Sequence, residues 1–165
     1  MNVLLAVDLR RDAIEVVARA RPWLERLQAT VDLVYVDTHR ASLERYTPAS
    51  FRTELDRLML DSEQRMATVF DEIPPPLRGS AFVDTTSMEE MLAARAGRYG
   101  LVLVGTRGRV GLAHLWAGSV AEHVVRFSPT SVLVLREDRA SEPMRILLAV
   151  DLTEDAGPLA AALAP

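Results

Sequence analysis

The residues best suited to chemistry lie between positions 105 and 122. Gly105, Gly108, Gly111 and Gly118 punctuate a loop that follows the apolar run Leu101-Val102-Leu103-Val104, and Gly118-Ser119 opens an amphipathic segment. Strand, glycine-rich loop and helix start together suit an anionic oxygen cluster. Glycines let backbone amides approach the oxygens, and a helix N-terminus supplies free N–H groups and a favourable dipole. Ser119 with Glu122 three residues later is a capping box, which fixes where that helix begins. Arg107 and Arg109 add cations that either neutralise phosphate or are merely solvated loop side chains. The competing reading of the glycines is a tight turn with close helix–strand packing.

Asp8 is the other candidate. It ends the run Val3-Leu4-Leu5-Ala6-Val7, where it either caps the next helix or meets a ligand, and it could hold magnesium through water. Phosphoryl transfer needs metal-coordinating carboxylates, a positioned nucleophile and cationic stabilisation. Only the last has candidates here, so slow hydrolysis is the most these residues support. His39, His114 and His123 share no metal-ligand spacing. Trp116 reads as a packing or dimer-surface residue, and Met59 and Met66 as core at helical spacing.

These residues need elements to position them. Val3 to Asp8 and Val31 to Val36 read as strands buried on both faces. Asp12 to Gln28 has helical apolar spacing, with Pro22 expected to kink or break it near Arg21. Phe51 to Phe70 is helical again, and Pro74-Pro75-Pro76 ends it in an extended linker. Ser80 to Val83 is a short strand, and Ser87 with Glu90 caps a helix over 88–98. Leu101–Val104 and Val132–Leu135 are the fourth and fifth strands. Alternating strands and helices predict an α/β fold, an open parallel sheet with helices on both faces. Ligands in such sheets sit beyond the C-terminal strand ends where strand order reverses. The first and fourth strands should flank that point, bringing Asp8 and Gly105 to one crevice.

Composition narrows the function. The 165 residues are 49% hydrophobic and 25% charged, with a net charge of −4, which suits a globular core and argues against a nucleic-acid binder. All 19 basic residues are arginine, which disfavours a P-loop and a receiver-type phosphoaspartate site, both users of lysine. There is no cysteine, hence no disulfide or thiolate chemistry, in keeping with a cytoplasmic protein. No apolar run reaches the length of a membrane span, and no basic leader precedes the first strand, so neither a membrane nor a secretory role is expected.

The C-terminal stretch repeats the start. Leu147–Leu152 is identical to Leu4–Leu9, and Met144, Asp155, Ala156, Ala161 and Pro165 match Met1, Asp12, Ala13, Ala18 and Pro22. This predicts a domain over 1–138, a linker at 139–143, and the beginning of a truncated second repeat over 144–165.

Taken together, these residues resemble the universal stress protein family, specifically its ATP-binding branch. That branch carries glycine, two residues, glycine, nine residues, then glycine and serine or threonine; here these are Gly105, Gly108 and Gly118-Ser119. The continuation to Pro129 and Val132-Leu133-Val134-Leu135-Arg136 is similar as well. The resemblance implies a Rossmann-like, adenine nucleotide alpha hydrolase-like fold with five strands ordered 3-2-1-4-5. By the same resemblance Gly105, Gly108, Gly118 and Ser119 hold phosphates and ribose. Asp8 sits near the ribose or adenine, Val36 lines the adenine slot, and Val120 adds a backbone contact. The implied ligand is ATP, or ADP or AMP, with Mg2+ a possible companion. The implied role is stress response through nucleotide-dependent association, with a homodimer formed through strand 132–135. Where the family has small residues after the first aspartate, this chain has Leu9-Arg10-Arg11, which would narrow the pocket or reach outward to phosphate. Two other readings stay open: a slow ATPase or nucleotidyl-transfer relative, and a nucleotide-free structural dimer module whose pocket Leu9 and Arg10 block.

Overall fold

The computed structural model describes residues 1–9, 12–37, 52–105 and 119–136. Five strands, β1 (Asn2–Ala6), β2 (Thr30–Val36), β3 (Arg78–Asp84), β4 (Leu101–Gly105) and β5 (Val132–Leu135), form one sheet. Its order is β3-β2-β1-β4-β5, every pairing is parallel, and β3 and β5 are the edges. Among the described residues four α-helices accompany it: α1 (Ala13–Arg26), α2 (Arg52–Asp71), α3 (Met88–Arg95) and α4 (Ser119–Phe127). The expected α/β architecture and strand order are both present.

Alternation explains why the central strands read as unbroken apolar runs. Val3, Leu5 and Val7 join Leu33, Leu103 and the buried side chains of α1 and α2 on one face. Leu4 and Ala6 join Val34, Val102, Val104 and those of α3 and α4 on the other. Successive side chains of a strand point to opposite faces, so a strand covered on both must be apolar throughout. Each such large side chain withdrawn from water stabilises the fold by about 1.5–3 kcal/mol.

Helix α1 is not broken at Pro22; it runs without interruption from Ala13 to Arg26. Pro22 and Ala18, whose carbonyl loses its helical donor, are both exposed, so water can take that donor's place. The ion pairs Arg19–Glu15 (2.9 Å) and Arg21–Glu25 (2.7 Å) brace the same stretch. The helix ends in a Schellman arrangement: Ala29 N–H donates to Leu24 O, Gln28 N–H donates to Glu25 O, and Gln28 has φ 47°. Met59 is not core; it is half-buried, between exposed Leu58 and Leu60. In the last turns of α2, Met66 and Val69 reach the core.

The triple proline is not wholly extended. Pro74 is (φ −56°, ψ 134°), but Pro75–Leu77 makes a 3-10 turn that feeds directly into β3, which is longer than the expected Ser80–Val83. The capping box of α3 is present: Glu90 N–H donates to Ser87 Oγ and Ser87 N–H to the Glu90 carboxylate, each at 3.1 Å. That helix is α-helical to Arg95 and tightens to a 3-10 turn over Ala96–Arg98. Pairing of β2 with β3 shifts register between Val31 and Leu33, and Asp32 there accepts from Ser80 N–H (2.7 Å). The linker and the second repeat, 139–165, lie outside the described residues.

Candidate functional site

Strand order reverses between β1 and β4, where β1 turns from β2 on one side to β4 on the other. The register Ala6↔Val104 brings the C-terminal ends of these two strands level. Val7 N–H still donates to Val34 O at 3.0 Å, so the ladder continues one residue beyond β1. Asp8 follows, half-buried, at the same end of the sheet as Gly105. Val36, the last residue of β2, is half-buried and packs with Phe82 and Met88 against the α3-face core. The first turn of α4 begins at Ser119 and Val120, and this helix packs over β4 and β5. Asp8, Val36, Gly105, Ser119 and Val120 thus come from one end of the sheet and the helix that follows it. Arg107, Gly108 and Gly118 lie outside the described residues, as do Arg109 and Gly111.

Gly105 has a reason of its own to lack a side chain. A Cβ there would collide with the Cγ2 of Val16 in α1, so at this glycine close helix–strand packing is a requirement whatever the loop binds. Leu9, expected to crowd the pocket, is 7% exposed and belongs to the α1-face core with Val16 and Leu103. Its bulk is taken up by packing.

A neighbouring carboxylate, Asp84, escaped the sequence reading. Three successive strands end in the same dipeptide, Val7-Asp8, Val36-Asp37 and Val83-Asp84, so three carboxylates stand at the C-terminal end of the sheet. Asp37 is buried, and its N–H donates to Asp84 O at 2.8 Å, extending the β2–β3 ladder. Asp84 accepts from Thr86 N–H (2.9 Å) and Thr86 Oγ1 (2.6 Å) and pairs with Arg95 Nε (3.2 Å). Burial alone pushes its carboxyl up, but the Thr86 hydrogen bonds and the Arg95 guanidinium together outweigh that and hold it below the ordinary value. Arg95 in turn lies 4.7 Å over the Phe82 ring. The repeated Val-Asp was the available signal; Arg95, eleven residues beyond Asp84, could be placed only by the fold. Among the described residues, no group of three His, Cys, Asp or Glu side chains is placed to hold a metal ion. His123 Nε2 lies 3.3 Å from the Glu89 carboxylate, joining α4 to α3 on an exposed surface. At this end of the sheet the described residues bring together strand and helix termini, the carboxylates of Asp8, Asp37 and Asp84, and the apolar Val36.

No described helix is long and apolar enough to cross a membrane. The model of the universal stress protein family matches residues 1–136. No curated protein matches. Among solved structures, the chain is similar to the universal stress protein UspA from Lactobacillus plantarum, with 22% identity and a TM-score of 0.57, over 82% of this chain and 97% of that one. It is also similar to a universal stress protein from Archaeoglobus fulgidus in complex with dAMP, with 16% identity and a TM-score of 0.55, over 82% and 97% of the two chains. A third is a universal stress protein in complex with cAMP, with 17% identity and a TM-score of 0.54, over 82% and 96%.

Proposed function

The chain belongs to the universal stress protein family, and on that premise we propose that it binds an adenine nucleotide and acts in stress response through nucleotide-dependent association. One observation carries the reading. The spacing Gly105, Gly108, Gly118-Ser119 spans the interval from the end of β4 to the start of α4, beside the reversal of strand order where such sheets take ligands. The dAMP and cAMP complexes of similarly folded proteins support it. In this reading the amides of the 105–119 loop, with Ser119 and Val120, grip the phosphates. Arg107 balances their charge, Asp8 meets the ribose or adenine, and Val36 walls the base. ATP is the ligand we favour, with ADP or AMP as variants and Mg2+ held by the phosphates and, through water, by Asp8. Hydrolysis, if any, is slow. Association runs through the open edge of β5, in the cytoplasm, without nucleic acid. The unit is residues 1–138, with 139–143 a linker to the start of a second repeat.

The rival reading, a nucleotide-free module, draws on Gly105, whose missing side chain Val16 already explains. Mass spectrometry of small molecules released from purified protein, with thermal shifts in ATP and Mg2+, separates the two. Ligand at 100 times its dissociation constant should add about 2.7 kcal/mol. Gly118→Val should abolish that shift while leaving the unliganded melting midpoint unchanged. Equal affinity in the variant refutes the phosphate cradle.

A further inference from the structure

We propose that Val16 of α1 is a positioning residue for nucleotide binding: it sets how far above the sheet the phosphate loop begins. The inference rests on the nucleotide reading and deepens it. Gly105 is the last residue of β4 and the first of the glycines assigned to the phosphates. Within the plane of the sheet its place is fixed from both sides. Val104 is level with Ala6 of β1, and Gly105 itself with Leu135 of β5. These ladders leave one direction to be fixed, toward or away from α1. Alternation along β4 puts position 105 on the same face as Leu103, which is the α1 face. There a Cβ on Gly105 would collide with Val16 Cγ2 and lie 3.1 Å from its Cγ1 and 3.4 Å from its Cβ. The isopropyl group of Val16 thus takes the place that a side chain on the strand end would need.

The seat is a stiff one. A β-branched side chain on a helix has essentially one χ1 rotamer, and Val16 is buried, so it cannot swing aside. The helix that carries it is anchored by Val17, Ala20 and Leu24, each buried in the same core. Leu9, which follows Asp8, lies in that cluster as well, so one helix braces both strand ends that frame the proposed site. In this reading Val16 does not touch the nucleotide; it acts through Gly105. Charge-assisted hydrogen bonds to phosphate are short, about 2.7–2.9 Å, and a binding constellation tolerates only about 0.5 Å of misplacement. Truncating Val16 to alanine removes both methyl groups and leaves a gap at the contact. The strand end is then no longer held in the bound geometry, and ordering it opposes binding.

Calorimetric titration with ATP, on variants shown to be folded by circular dichroism, tests the assignment. Val16→Ala should lower ATP affinity about threefold to tenfold. Val17→Ala, an equal truncation one residue along in the same core, should stay within about twofold of the native chain. Gly105→Ala should also weaken binding, by pushing the strand end off α1. The double variant Gly105→Ala/Val16→Ala should bind better than Gly105→Ala, because the added methyl fills the space that Val16 vacates. Residues in contact show such non-additivity, whereas general loosening of the core would make the double variant the weakest binder. Unchanged affinity in Val16→Ala, an equal loss in Val17→Ala, or a double variant no better than Gly105→Ala overturns the proposal. Should Val16→Ala not fold, the double variant, with its gap filled, decides alone. A native chain that takes up no ATP sinks the nucleotide reading and this assignment with it. A native chain that binds ATP no better than Val16→Ala does sinks the assignment alone.

Discussion

The two ends of the sheet are built by different rules. At the N-terminal ends of the strands, polar groups from distant segments bond to one another. Tyr99 Oη donates to Asp32 Oδ2 (2.8 Å), and Ser80 N–H donates to Asp32 Oδ1. Thr130 Oγ1 donates to Tyr99 O, and Gly100 N–H to Asn2 O. Each bond ties down a turn between elements. At the C-terminal ends stand three aspartates, a glycine pressed onto α1 and the start of α4. Apart from the Asp84–Thr86–Arg95 cluster, the second end has fewer such ties among the described residues, and a parallel sheet leaves that side to its loops.

That contrast can be broken by substitution. The largest effect belongs to Asp8→Ala: adenine-nucleotide affinity, measured by calorimetric titration, should fall tenfold to a hundredfold, since hydrogen bonds to charged groups are worth about 1.5–3 kcal/mol. An equal loss of stability would mean that Asp8 serves the fold as Asp32 does. Gly105→Ala should destabilise by about 1–3 kcal/mol in urea unfolding through overpacking, and adding Val16→Ala should recover part of it. Failure of that rescue would return Gly105 to the ligand alone. Tyr99→Phe should cost about 1 kcal/mol, leaving Asp32 without one donor, with nucleotide affinity intact.

Two pH profiles sharpen the comparison further. Burial, with the hydrogen bond to Asp32 and its charge, pushes the Tyr99 hydroxyl up to about 12 from 10.0. Its contribution is therefore whole below pH 10.0 and lost as pH rises through about 12. Tyr99→Phe should flatten that alkaline limb in pH-dependent melting. The Asp84 carboxyl is held below 3.8, so its contribution is present above that value and lost as pH falls through the lowered pKa. Asp84→Asn should remove this acid limb. The effect should be the smallest of the set, because its partner Arg95 is half in water.

What the sequence made legible was whatever short-range pattern determines. Runs such as Val3–Val7 and Val31–Val36 announced strands covered on both faces, and Ser87 with Glu90 announced a helix start; all three are where they were expected. Pro22 does not end the helix because the cost of a proline depends on whether the orphaned carbonyl can reach water, and Ala18 is on the wet side. Met59 misled because helical spacing says which side chains share a stripe, not how far along the helix the sheet extends. Asp8, Val36 and Gly105 stand at strand ends, and Ser119 and Val120 at the start of α4, as the strand and helix patterns of the sequence place them. Two contacts were not legible, Val16 against Gly105 and Asp84 with Arg95, because both depend on the distance between packed elements. Asp32 with Tyr99, 67 residues apart, lies beyond any local pattern.

The register shift near Asp32 has a consequence for assembly. It distorts the sheet margin on the β3 side, where Arg78 is also pinned to the carbonyls of Ile73 and Asp71, and bulges and charges of this kind discourage strand addition. The opposite margin is regular. Were the sheet to associate through that margin alone, as proposed, it would close into a two-fold pair and would not propagate head to tail into filaments.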